Sequence, residues 1–348
     1  MLNKKITKFG KSFKDVDSIK LNFFSQNSKL LKDQNKINAL YRSQPKRIYC
    51  KACEKKLIGP YFINHKTKFI QCKHCSHVNG QHKDTNKFAS KIYVDEKASY
   101  SKGYYEKNIE NFKLRQKKIY DPKVTFLKKS FLDHSKIRVL DIGAGSGYFV
   151  SLLLDKKFKD AVGLEVSKNQ TNFGKKIFKF IGKNPNKLKN TSYEDLKKRI
   201  EITDFNCVSL IGVFEHLVDM QSIMKLIKKN KKIKYIYILV PMFSLICTIE
   251  NVFSSVFNRH LGGGHTHLFT EKSLKKFMSR FGFKEHSSWW FGTDMHDLFR
   301  SFILQMKDKK FKPLENMTFE TKDLIDGLQL ELDKKKLCSE VHMLLKRK

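Results

Sequence analysis

No uninterrupted apolar run in this 348-residue chain is long enough to cross a bilayer. The longest, residues 235–249 (YIYILVPMFSLICTI), is interrupted by Pro241 and reads as a buried strand that ends at the proline. The first twenty residues lack the continuous apolar segment of a secretory signal, so a cytoplasmic setting and no membrane span are expected. Arginine is scarce too, at nine of the 70 basic residues. The formal charge of +36 suggests a nucleic-acid partner. Base-edge and phosphate readers, however, favour the flat guanidinium fork, and here lysines are scattered along the whole chain. The surplus reads as a solvated lysine surface. Of seven cysteines, four fall in two tight pairs, which argues against a disulfide scaffold and for a metal site in a reducing compartment. Cys207, Cys247 and Cys338 have no spaced partners and read as buried or incidental.

Residues 1–45 are polar and basic with sparse apolar positions, and read as a mobile or loosely docked arm. Residues 46–92 carry the pair Cys50 and Cys53, then eighteen residues, then the pair Cys72 and Cys75. Two Cys-x-x-Cys turns at this separation match a zinc ribbon, each turn giving two thiolates to one tetrahedral Zn²⁺. The intervening PYFINHKTKFIQ alternates as a hairpin should. Four thiolates close the coordination sphere, so the zinc is expected to be structural and to fold a module too small to bury its own core. His74 and His77 read as solvated or as supporting the ligands. Residues 93–134 read as a helical linker or lid, with a helix over 106–120 and with Tyr104, Tyr105 and Arg115 placed to cover a ligand or pack on the next domain.

Over residues 135–305 short apolar runs (IRVLDI, AVGLEV, NCVSLIGVF, IKYIYILVP) are interspersed with Lys-rich amphipathic stretches. Helices are predicted near 148–157, 168–181, 218–229 and 271–281. This strand–helix succession predicts an α/β, doubly wound, mostly parallel sheet with its ligand beyond the strands' carboxyl ends. In residues 306–348, Leu324, Leu328 and Leu332 share a helical face that Val341 and Leu344 would continue. Packing of a C-terminal helical segment on the body is expected, with a homodimer contact as the alternative.

The segment VLDIGAGSGYFV, residues 139–150, joins the first strand to the first helix of this region. Gly143, Gly145 and Gly147 allow a tight turn and a close approach of backbone to ligand. A dinucleotide fingerprint would carry its third glycine or alanine at 148, where this chain has Tyr148. G-x-G-x-G preceded by Asp141 instead resembles the first motif of class I S-adenosylmethionine-dependent methyltransferases. The fold then implied is their seven-stranded, Rossmann-like sheet, here with a small N-terminal zinc ribbon. By that resemblance the loop (Gly143, Ala144, Gly145, Gly147, Tyr148) cradles the amino-acid part of S-adenosylmethionine and Asp141 holds its amino group. Glu165, with Val166 after it, ends the second strand, where a carboxylate accepts from the ribose hydroxyls. Tyr193 and Glu194 in TSYEDL resemble the adenine contacts. Val213 and Glu215 in GVFEHLVD resemble the segment lining the cofactor and acceptor pocket, and HTHLFTEKSLKKF resembles the family's late segment.

Methyl transfer from a sulfonium is an in-line displacement, and a hydroxyl acceptor must lose a proton to a base. His216, His265 and His267 are the candidates, the last two after an LGGG hinge that could act as a lid. A ribbon joined to this domain looks like methyltransferases of bacterial surface-polysaccharide and sugar-nucleotide pathways. The acceptor this implies is a nucleotide-linked sugar or glycan, with Trp289 and Trp290 stacking on a sugar face or buried in the core. The alternative is an RNA- or protein-directed enzyme using ribbon and basic surface as a platform.

Overall fold

In the computed structural model, residues 2–12, 22–95 and 108–348 are described. Tyr104 and Tyr105 lie outside the described residues. The N-terminal region contributes strand β1 (Thr7–Phe9), and the ribbon region β2 (Tyr61–Asn64), β3 (Thr67–Gln71) and β4 (Val78–Gly80). The four apolar runs form β5 (Arg138–Ile142), β6 (Asp160–Glu165), β8 (Cys207–Ile211) and β9 (Tyr235–Pro241), with β7 (Leu188–Asn190) between. The short β10 (His267–Leu268), then β11 (Phe283–Phe291) and β12 (Glu340–Arg347), complete the set.

The larger sheet has eight strands in the order β1-β11-β12-β9-β8-β5-β6-β7. Strands β5 to β9 are parallel, and β12 lies antiparallel between β9 and β11. The chain leaves β5 towards β6 and β7 on one side and resumes with β8 and β9 on the other. The carboxyl ends of β5 and β8 therefore flank the crevice where strand order reverses, the usual ligand position in such sheets. Period-two alternation buries both faces. Leu140, Ile142, Val208, Leu210, Ile236 and Ile238 join one core cluster, while Val139, Cys207, Tyr237 and Leu239 join the other.

The predicted helices form as Tyr148–Asp155, Lys168–Phe180, Met220–Lys229 and Glu271–Arg280. Their starts have local causes. Ser167 and Asp219 accept from the third backbone N–H of their helices, and Thr270 and Ser273 cap each other reciprocally.

Two expectations are corrected, and one pair of alternatives is decided. The described parts of residues 1–45 are docked, not loose: β1 pairs parallel with β11 along Thr7–Phe9, and the helix Asn27–Arg42 buries Gln34, Asn38 and Tyr41. The C-terminal segment is not wholly helical. After the helix Ile325–Lys334, β12 carries Val341 and Leu344 into the sheet, while Leu324 and Leu328 stay exposed. Trp289 and Trp290 are core residues of β11, 1% and 0% exposed, donating to the Gly10 carbonyl and to Ser288 Oγ. They do not border the cavity described below.

The ribbon region is knitted to the body. Strand β10 pairs with β4 in a second, four-stranded sheet, β10-β4-β3-β2, and Cys50, Cys72 and Cys75 belong to a core cluster of the large sheet. Between the two, buried Asp84 accepts from Lys51 Nζ at 2.5 Å, Arg47 Nη2 at 3.1 Å and Thr266 Oγ1 at 2.5 Å. Burial opposes its charge, but Lys51 and Arg47 outweigh it and hold the carboxyl below its ordinary value.

Candidate active site

At the carboxyl ends of β5, β6 and β8 lies a cavity of about 430 Å³. One wall is the glycine turn. Gly143, Gly145 and Gly147 all have positive φ (70°, 54° and 82°). A Cβ at Gly143 would meet Val213 Cγ2 at 2.4 Å, and one at Gly147 would meet Leu188 Cδ1 at 2.6 Å. Neither position admits a side chain, so the backbone itself forms the wall. Gly143 and Val213 border the cavity, whereas Ala144, Gly145, Gly147 and Tyr148 shape the turn without bordering it. Tyr148 instead packs between Phe112 and Tyr120, with ring centroids 4.4 and 5.0 Å away, and Arg115 lies 5.4 Å from its ring.

Two carboxylates anchor this end. Glu165 accepts from Gly145 N at 2.8 Å through Oε2 and from Ser167 N at 2.8 Å through Oε1, tying the second strand end to the loop. Val166, Tyr193 and Glu194 border the cavity beside it. Asp141 is buried in β5 and accepts from Ser209 Oγ at 2.6 Å. Burial pushes its carboxyl up to about 7 despite that hydrogen bond, and Glu165 adds to the rise. A buried carboxylate of this kind is relieved by a cationic ligand group. Asp141 does not itself border the cavity, whereas Gly143 and Glu165 do, and the Glu165 carboxylate can accept further hydrogen bonds from a ligand there.

The opposite end carries a histidine pair. His216, after β8, borders the cavity, and its Nδ1 lies 2.8 Å from Tyr93 Oη and 3.2 Å from the Gly264 carbonyl. His265 stacks on it at 5.0 Å. Burial drives His216 down to about 3 and His265 to about 4, so both rings are neutral near pH 7. Glu215, expected among the cofactor contacts, does not border the cavity. Its buried side chain lies with Oε1 3.7 Å from His216 Nε2, and burial raises its carboxyl to about 8. His267 departs from expectation as well: it sits on β10 with its ring 4.9 Å from that of buried His77, away from the cavity. His77 is accordingly not solvated.

Two contributors had no signal in hydrophobic pattern or motif. Residues 86–94, which include the π-helical turn Ser90–Val94, cover the cavity through Asn86, Ala89, Ser90, Tyr93 and Val94. The LGGG segment is not a loose hinge, because the N-terminal helix clamps it. Gln34 donates to the carbonyls of Asn258 and Leu261 and accepts from Asn258 N, and Asn38 accepts from Gly263 N at 2.8 Å. Glu250 caps the same loop from beneath, accepting from the N–H groups of Arg259, His260 and Leu261.

The four ribbon cysteines converge with their sulfurs within 4.8 Å of one another. Cys50 Sγ lies 3.7 Å from Cys75 Sγ, and Cys53 Sγ 3.7 Å from Cys72 Sγ. Tetrahedral ligands at about 2.3 Å from a common ion stand about 3.8 Å apart, so the cluster has the dimensions of a four-thiolate metal site. Asn79 Nδ2 donates to Cys50 Sγ at 3.4 Å, stabilising thiolate there.

A mostly parallel sheet with antiparallel β12 set between β9 and β11, a glycine turn at its switch point and an acid at the next strand end has the Rossmann-like arrangement of a class I methyltransferase fold. A family described as a methyltransferase domain matches residues 112–288, just over half of the chain. The chain belongs to that family and is an S-adenosylmethionine-dependent methyltransferase. No curated protein matches its sequence. Solved structures similar to it include magnesium protoporphyrin IX methyltransferase from Synechocystis PCC 6803, at 10% identity and TM-score 0.44 over 71% of this chain and 91% of that one. Another is geranyl diphosphate C-methyltransferase from Streptomyces coelicolor A3(2), at 11% identity and TM-score 0.42 over 74% and 91%. An O-methyltransferase of a Brevibacillus brevis polyketide synthase matches at 14% identity and TM-score 0.41 over 68% and 75%. Among the described residues, no helix is long and apolar enough to cross a membrane.

Proposed function

We propose that the protein methylates a nucleotide-linked sugar or glycan residue. The observation that carries this reading is the group of polar residues, His216, Tyr93, Asn86 and Ser90, that line one part of the cavity, with Tyr93 Oη 2.8 Å from His216 Nδ1. A concave cavity of about 430 Å³ suits a small acceptor better than a macromolecular one. The ribbon joined to the methyltransferase region, which resembles the layout of sugar methyltransferases, supports the same class.

In this reading S-adenosylmethionine, when bound, supplies an electrophilic methyl group on a sulfonium. Gly143 and its turn hold the amino-acid part, Asp141 the amino group, Glu165 the ribose, and Tyr193 with Glu194 the adenine. His216, which borders the cavity with His265 stacked on it, is the residue to take the proton of an acceptor hydroxyl, and the 86–94 turn lines the same end. The cysteine cluster holds structural zinc in a reducing, cytoplasmic setting.

The test is incubation of the purified chain with methyl-labelled cofactor and a panel of nucleotide sugars, transfer RNA and quinone precursors. Label on a nucleotide sugar is the predicted outcome. Label on transfer RNA alone would overturn the acceptor class and favour the ribbon and basic surface as an RNA platform.

A further inference from the structure

We infer that Glu215, His216 and His265 form a site for one divalent first-row transition-metal cation, distinct from the cysteine cluster and bordering the cavity through His216. One ligand atom from each of the three lies within 4.8 Å of the other two.

Hydrogen bonds identify those atoms. His265 Nδ1 lies 2.9 Å from the His260 carbonyl oxygen, which can only accept. The proton is therefore on Nδ1, and Nε2 keeps its lone pair. His216 Nδ1 lies 3.2 Å from the Gly264 carbonyl, which can only accept, and 2.8 Å from Tyr93 Oη, whose oxygen can accept as well; a proton on Nδ1 serves both and leaves Nε2, 3.7 Å from Glu215 Oε1, as the lone-pair atom. Glu215 adds an orphan: its Oε2 is buried without a hydrogen-bond partner, in a residue 4% exposed. Leaving a buried carboxylate oxygen unpaired is costly, and a cation removes that cost.

Imidazoles that donate their other N–H to a backbone carbonyl are the common arrangement around metals. Two imidazoles and one carboxylate, with coordination positions left over, suit Zn²⁺, Fe²⁺, Co²⁺ or Mn²⁺, whereas Ca²⁺ and Mg²⁺ favour all-oxygen shells. The loop clamp acquires a purpose here, because Gln34 and Asn38 fix the segment that presents His265. A cation so held would stand at the acceptor end of the cavity, where it could bind an acceptor oxygen as a Lewis acid. The two imidazoles would then act as ligands instead of free bases.

The experiment uses the full chain with its cysteine cluster filled by zinc, titrated with Co²⁺ and followed by the visible d–d absorption. The site predicts one further cobalt per chain, without the sulfur-to-metal charge-transfer band a thiolate site gives. Glu215→Gln and His265→Ala should each weaken cobalt binding at least about ten-fold while retaining ribbon zinc and cooperative unfolding. His265 is only partly buried, so its variant carries the test even if Glu215→Gln does not fold. No cobalt beyond the zinc complement, or equal binding by wild type and His265→Ala, would overturn the site. The readout is metal binding, so its failure is distinguishable from failure of the acceptor assignment.

Discussion

Glu165→Gln is the substitution that separates the loop's structural needs from the cofactor's. Each carboxylate oxygen already accepts one backbone N–H, from Gly145 and from Ser167, in a side chain that is 2% exposed. Glutamine keeps one oxygen and turns the other into an amide NH₂ facing an N–H. One buried donor then loses its partner, at a cost of about 1–3 kcal/mol of stability. Loss of the charged acceptor for the ribose hydroxyls removes a further ~1.5–3 kcal/mol from binding, roughly a 10- to 150-fold rise in Kd. Thermal denaturation without ligand reads the first term, and titration calorimetry with S-adenosylhomocysteine reads the second. Glu165→Ala, which strips both accepted bonds, should lose roughly twice the stability. If the folded Glu165→Gln protein bound within about two-fold of wild type, a difference under ~0.4 kcal/mol, Glu165 would not hold the ribose.

Three further outcomes follow from other parts of the molecule. Cofactor affinity should increase as pH rises through about 7, because binding of a cation favours ionised Asp141, whose carboxyl burial has raised. The same shift means that Asp141 favours the folded state at low pH and loses that contribution as pH rises through 7; Asp141→Asn should flatten the binding profile in calorimetry. Asp84→Asn should destabilise the chain by about 3–5 kcal/mol in denaturant unfolding, since it leaves buried Lys51 and Arg47 uncompensated. The depressed Asp84 carboxyl contributes stability above its ordinary value, and that contribution is lost as pH falls through the lower folded value. Gln34→Ala should cost about 1–3 kcal/mol by leaving Asn258 N–H unpaired, with faster backbone exchange confined to residues 258–264.

What was legible in the sequence was local. The glycine turn could be read because positive φ at Gly143 and Gly147 restricts residue choice at those positions alone, and β5, β6, β8 and β9 because they are largely buried and their runs are mostly apolar. The paired cysteines were legible because each Cys-x-x-Cys spacing by itself brings two sulfurs to one side of a turn. What failed depended on distant partners. The N-terminal helix anchors itself through Gln34 and Asn38, so hydrophobic pattern gave no sign that it docks. Strand β12 is buried on both faces, and its Val341, Leu344 and Leu345 fit a helical stripe equally well until β9 and β11 flank it. Among three histidines of similar sequence context, only the fold distinguishes His216 at the cavity, with His265 stacked on it, from His267 against His77. Tyr93 lies in a stretch with no motif, and only the tertiary arrangement places its hydroxyl on His216.

Hydrogen–deuterium exchange with and without S-adenosylhomocysteine tests the central claim most directly. If the cavity at the ends of β5, β6 and β8 is the cofactor site, the ligand should slow exchange in residues 143–146, 192–196 and 212–218, and in the covering turn at 86–94. Unchanged exchange in all four segments on saturation with ligand, or protection confined to another part of the chain, would contradict it.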